Sequence, residues 1–229
     1  MDKVRYIKIL VLSLVSCSLA AGVSADEQDF GLNVGVAVSK KFGKRFEVGL
    51  EEEVRTKENS KQLDRLATGL DASFQLVPKI VKVGVGYTFI ADYDEIEGFS
   101  WRHRLTGQVS AKHKIHRLEM SLRGRYQLTY KDESVKSFKW NPKSYLRGKF
   151  ELSYKLPKIP LTPFASAEVF YQLNNYKGNT IDNVRYEAGG EYKFNKKNSV
   201  SLSFRYDDEM NVAEPLDGFK LCAGYQYKF

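Results

Sequence analysis

Phe219-Lys220-Leu221-Cys222-Ala223-Gly224-Tyr225-Gln226-Tyr227-Lys228-Phe229 closes the sequence on a period of two. Phe219, Leu221, Ala223, Tyr225, Tyr227 and Phe229 share one parity, and Lys220, Cys222, Gly224, Gln226 and Lys228 share the other. Successive side chains of a strand point to opposite faces, so this stretch has one apolar and one polar or small face. Its length suits the roughly 9 to 11 residues with which a tilted strand crosses a bilayer. A half-buried strand of a soluble sandwich has the same pattern. What separates the two is how many earlier runs repeat it, and in what setting.

The opposite end reads as an export signal. Lys3, Arg5 and Lys8 precede the apolar run from Ile9 to Val23, and Val23-Ser24-Ala25 offers small residues for cleavage. This divides the chain into a signal peptide, 1–25, and one domain, 26–229. Leu14-Val15-Ser16-Cys17 also fits a lipobox, but the apolar run continues through Leu19, Ala20 and Ala21, and a cut there would leave those residues on the product. Beyond Val23 no apolar stretch approaches the roughly 18 residues of a helical span, and the mean hydropathy is −0.43. Helical membrane proteins are thereby excluded. With 14 Tyr, 14 Phe and 17 Gly but only 6 Pro, the composition favours many strands with aromatic belts. Without the first 25 residues the chain carries 33 basic and 27 acidic side chains, a net +6. Cys222 is then the sole cysteine, so no internal disulfide forms, and its parity makes it a small inward filler.

Ten earlier runs repeat the alternation. Phe30 to Val38, Phe46 to Val54, Leu66 to Leu76, Val81 to Phe89 and Trp101 to Ala111 each set apolar residues against polar or glycine positions. The clearest places Leu118, Met120, Leu122, Tyr126, Leu128 and Tyr130 against Arg117, Glu119, Ser121, Arg123, Arg125, Gln127 and Thr129. Leu146 to Tyr154, Ala165 to Tyr171, Val184 to Phe194 and Val200 to Tyr206 follow. Glu52 interrupts the apolar face of the second run. Connections near 40, 78, 114, 158 and 196 are expected to be tight, and those at 56–64, 92–98, 131–143, 174–182 and 207–217 longer. Aromatics gather at strand ends: Trp101, Tyr130, Tyr206 and Phe219 toward the long connections, and Phe42, Phe74, Tyr154, Phe194 and Phe229 toward the tight ones. Short periplasmic turns, longer external loops and two aromatic girdles are the signature of an up-and-down transmembrane antiparallel β-barrel. Eleven strands are legible. Because single-chain bacterial barrels use even numbers, about twelve is the expected total, with ten as the alternative. If the last strand descends and every connection is a hairpin, the first legible strand descends too.

Trp101-Arg102-His103-Arg104, the run Ser121 to Tyr130, Thr162 to Glu168, and Arg185-Tyr186 leading to Glu191-Tyr192-Lys193-Phe194 resemble an uncharacterised outer-membrane barrel family, domain of unknown function 2490, common in Bacteroidetes-type bacteria. The resemblance runs from Phe30 to Phe229 and implies fold and compartment, with no activity or catalytic residue attached. The final strand, ending on Phe229, resembles the signal read by the barrel assembly machinery. The partners expected are therefore outer-membrane lipids and, during biogenesis, that machinery. Nucleic acid is not among them.

Arg102, Arg104, Arg123, Arg125 and Arg147 fall on the inward parity with Glu51, Glu53, Glu119, Glu151 and Glu168. Buried charges persist only when paired or wet. In the leading reading, a narrow barrel is filled by a salt-bridge network and passes little. In the alternative, the five arginines, on three consecutive strands, form a basic ladder guiding anions through a narrow pore. A second alternative, a lipid-facing enzyme, requires a nucleophile near an outward histidine. His103 is the one outward histidine near the external interface, and its expected neighbours Tyr87, Phe89, Tyr126 and Leu128 supply none. No metal-ligand spacing or phosphate-cradling glycine loop is present, so no catalytic residue, metal or cofactor is expected.

Overall fold

The structure, a computed structural model, describes residues 28–94, 98–131, 142–175, 178–211 and 217–229. The signal-peptide and lipobox readings lie outside them. Eleven strands form: β1 (Gln28–Phe42), β2 (Phe46–Lys57), β3 (Gln62–Val77), β4 (Val81–Asp94), β5 (Gly98–Ile115), β6 (Leu118–Lys131), β7 (Lys143–Tyr154), β8 (Leu161–Gln172), β9 (Thr180–Lys193), β10 (Asn198–Glu209) and β11 (Asp217–Lys228). Each pairs antiparallel with its sequence neighbours, and β11 returns to β1 to close the barrel.

The closing seam corrects the expected even number. Successive hairpins alternate strand direction, so an odd count leaves the first and last strands parallel. β1 and β11 do pair in parallel, from Gln28 opposite Asp217 to Ser39 opposite Lys228. A parallel pair is slightly weaker per residue than an antiparallel one; here the ladder has twelve opposed pairs, enough to complete the wall. The eleven legible runs were thus the whole wall, neither ten nor twelve.

Stepping from Phe42 to each opposed residue leads through Phe46, Phe74, Val83, Val109, Gly124, Gly148, Val169 and Val184 to Asp208, beside the Asp207–Gly218 pair, and back to β1 level with Gln28. The circuit is displaced by 42 minus 28, or 14 residues. With eleven strands, that stagger gives a strand tilt of roughly 40° and a backbone radius of roughly 11 Å. Inward arginines reach well toward the axis of such a barrel without needing to meet.

Burial is inverted relative to a water-soluble protein. Among the described residues the buried apolar ones are Ala67, Ile90, Ala91 and Cys222, whereas Val85, Leu122 and Leu202 are 65%, 61% and 58% exposed. Asn33, Gln127, Arg147, Glu168, Asp182 and Asp207 are buried. A continuous apolar outer wall is unfavourable against water and stable against hydrocarbon. Aromatic contacts bracket it at both rims. Phe89 stacks on Trp101 at 5.3 Å, and Tyr206 on Phe219 at 4.8 Å, toward one rim; Tyr192–Phe194 and Tyr227–Phe229 lie edge to face at 5.1 and 4.7 Å near the other.

Connection lengths alternate less sharply than expected. The segment between β2 and β3 is residues 58–61 rather than 56–64, and between β4 and β5 it is 95–97. Asp64 and Asp92, expected in loops, instead extend β3 and β4 and pair with Arg55 and Arg65 on the inner wall. Lys79, His116 and Lys158 turn at positive φ on the tight side, and Glu58, Asn59 and Ser60 do so between β2 and β3.

Candidate functional site

The inner wall carries most of the molecule's unusual chemistry, and its charges sort by height. In the half nearer the longer connections, three carboxylates are each clamped between two cations. Asp92 on β4 pairs with Arg65 at 2.5 Å and with Arg102. Glu168 on β8 takes Arg123 and Arg147, both at 3.0 Å. Asp207 on β10 takes Arg185 at 2.5 Å and Lys220 at 3.7 Å. The Arg147 and Arg185 guanidinium groups also lie 4.1 and 5.0 Å from the ring centre of Phe170, which packs between them. Each cluster thus retains a net positive charge.

This clamping follows from register. Arg125 lies opposite Arg147, Arg123 opposite Lys149, Arg55 opposite Arg65, and Arg205 opposite Lys220. Like charges directly opposed repel, and in each of the four pairs at least one member reaches a carboxylate on another strand. Arg205 bridges to Glu187 at 3.6 Å, and Arg55 to Glu53 at 2.9 Å.

The five ladder arginines therefore divide. Arg102, Arg123 and Arg147 each have a carboxylate. Arg104 and Arg125 have only neutral partners among the described residues: Arg104 Nε donates to Thr129 Oγ1 at 3.4 Å, and Arg125 donates twice to Gln108 Oε1, at 3.1 and 2.8 Å. Of the five expected acidic partners, only Glu168 binds ladder arginines. Glu53 joins Arg55, Glu119 joins Lys112 at 2.9 Å, Glu151 joins Lys149 at 3.0 Å, and Glu51 enters none of these ion pairs. The partner of Arg102, Asp92, was missed because residues 92–98 read as a loop. Continuing the inward parity of Lys82, Gly84, Gly86 and Thr88 by two steps finds it.

Nearer the tight turns the lumen holds a carboxylate-rich cavity. Of about 360 Å³, it is lined by Glu51, Glu151, Glu187 and Glu191 with Lys149, and reaches from β2 around to β7. The ion pairs named above join strands no more than two apart. They hug the wall and do not tie opposite walls together across the axis.

On the outer wall His103 faces outward, with Phe89 and Tyr130 directly opposite on the neighbouring strands. Its Nδ1 lies 2.7 Å from the Tyr87 hydroxyl, and its ring is 5.5 Å from that of Phe89. Thr68, the nearest outward hydroxyl along this row on β3, lies beyond Phe89 and donates to Glu52 at 2.9 Å. Among the described residues the hydroxyl brought to the histidine is that of Tyr87, and no serine, threonine or cysteine is hydrogen-bonded to it. His113, expected in the turn, is in β5 opposite Met120; only His116 turns. Among the described residues no group of three or more His, Cys, Asp or Glu side chains is placed to hold a metal ion.

A family model described as "Protein of unknown function (DUF2490)" matches residues 30–214. No curated protein matches the sequence. Among solved structures, one titled "NanC porin structure in rhombohedral crystal form" superimposes with a TM-score of 0.52 at 13% identity, covering 82% of this chain and 93% of that one. The translocator domain of the autotransporter NalP from Neisseria meningitidis gives a TM-score of 0.37 at 14% identity over 92% of this chain and 91% of that one. At these identities the likeness to the porin concerns the fold alone.

Proposed function

The chain belongs to the DUF2490 family, and on that premise we propose that it is an outer-membrane barrel whose lumen forms a narrow, anion-preferring passage. The observation that carries this is the run of lumen ion pairs along the wall, which among the described residues leaves the axis unbridged, while the clusters in the half nearer the longer connections keep more cations than carboxylates. Selectivity in a pore is set where solutes pass closest to fixed charge. Arg147, Glu168, Asp92 and Asp207 are buried in that half, whereas the other half opens into the 360 Å³ cavity, where water screens the glutamates. A filled, non-conducting interior is the competing reading, and the fully buried Ile90, between Ala67 and Arg102 on the inner wall, favours it locally.

Single-channel recording in planar bilayers tests the proposal. Folded protein is expected to give small, discrete current steps whose reversal potential, under a potassium chloride gradient, lies on the chloride side of zero. Folded protein that gives no steps would favour the filled interior, and a cation-side reversal would contradict the assigned selectivity. No catalysis is assigned to the outer wall; phospholipid turnover that vanishes in His103→Ala would overturn that.

A further inference from the structure

Three successive inward pairs on β5 and β6 stand apart from the rest of the lumen: Arg104 opposite Thr129, Thr106 opposite Gln127, and Gln108 opposite Arg125. Two guanidinium groups occupy diagonal corners, four neutral hydrogen-bonding side chains fill the remaining places, and the patch contains no carboxylate. Arg125 spends Nε and one terminal nitrogen on Gln108, which leaves the other terminal nitrogen free of that contact; Arg104 uses only Nε, on Thr129. Gln127 is occupied, accepting from Arg147 at 2.8 Å and donating to Thr129 at 3.3 Å, so it holds the patch rigid and cannot swing over to either arginine. Among the described residues no carboxylate comes within ion-pair distance of either arginine: Glu168 is shared between Arg123 and Arg147, Glu53 is taken by Arg55, and Glu51 and Asp71 reach Arg125 only at longer range.

A partly buried guanidinium in a lumen wall, hydrogen-bonded only to neutral groups, is open to a directly bound counter-charge that no carboxylate among the described residues supplies. Its planar donor fork matches an oxyanion with two acceptor oxygens better than a spherical halide. We propose that Arg104 and Arg125 are two exchangeable stations for the carboxylate or phosphate group of a small solute. They lie four residues apart along the wall, roughly 13 Å at the rise of a strand. Two weak stations in series let a solute enter and still leave, which one tight site would not. This rests on the anion-preferring passage proposed above and adds the chemical class of what it takes.

The test titrates chloride current through the folded protein with inorganic phosphate, and separately with acetate, at constant ionic strength. Both are expected to lower the current at millimolar concentration. Arg104→Gln and Arg125→Gln should each raise the half-blocking concentration about tenfold, and the double variant should abolish the block. Arg104→Lys and Arg125→Lys keep the charge without the fork; they should preserve the reversal potential and lose most of the block. Lys40→Gln, on the outer wall, should behave as the parent. A block equally strong in the parent and in the double glutamine variant overturns the stations, as does the absence of any block in a conducting parent. Should folded protein carry no current, the passage fails by itself. The stations are then judged by the temperature at which the folded gel band converts: a phosphate-dependent rise in the parent that is missing in the double variant sustains them, and no such difference overturns them.

Discussion

Two carboxylates of the same wall, one facing in and one facing out, show how environment sets what a charge contributes. Glu168 is 3% exposed and stands between Arg123 and Arg147. Removing it in Glu168→Ala leaves the buried Arg147 guanidinium, and the partly buried one of Arg123, without their counter-charge, which costs about 3 to 5 kcal/mol. The midpoint of urea-driven loss of the folded gel band should fall accordingly, whereas Lys112→Ala, which breaks an ion pair on a half-exposed lysine, should move it by less than about 1 kcal/mol. Glu52 is the opposite case. It faces outward midway along β2, with Val36 and Thr68 opposite and, among the described residues, the Thr68 hydroxyl as its partner. A carboxylate in an apolar band is costly, so Glu52→Leu should stabilise the barrel in lipid by about 1 kcal/mol in the same assay. Unchanged or lower stability would argue that this part of the wall does not meet hydrocarbon.

At the scale of strands, alternation made the wall legible and register did not. Period two placed every ladder arginine on the inner parity, because a one-residue slip would put all of them against the apolar outside. It could not say which residue faces which across a strand pair. The opposition of Arg125 to Arg147 and of Arg55 to Arg65, from which the clamped carboxylates follow, depends on where each turn closes. Nor could it separate a charged strand end from a loop, which is how Asp92 was missed. Register also shows in a close approach at Gly189, where a Cβ would come within 2.5 Å of the Ser203 Cβ on the facing strand. Gly189→Val should therefore part β9 from β10 and cut the yield of folded protein severalfold, while Gly107→Val, with open space on the outer wall, should leave it unchanged. Equal yields would mean that the two strands meet in another register.

For the whole molecule, the odd strand number puts the start of β1 and the end of β11 on opposite rims. β1 starts at Gln28 on the rim of the longer connections, and β11 ends at Lys228 on the rim of the tight turns. With the tight turns periplasmic, a protease site placed just before Gln28 should be cut by protease added to intact cells, whereas one placed after Phe229 should be protected until the outer membrane is opened. A twelfth strand before β1 would reverse the first result. The eleven runs and their inverted polarity were readable because a barrel with an apolar outer wall writes one rule along all of its strands. Closure in parallel was not, since it rests on the pairing of two segments at opposite ends of the chain. That the apolar outer wall faces lipid is tested most directly by fractionation. The protein is expected in the outer-membrane fraction, released only by detergent, with a folded band that changes mobility on boiling. Recovery in the soluble fraction without detergent, with identical mobility before and after boiling, would contradict it.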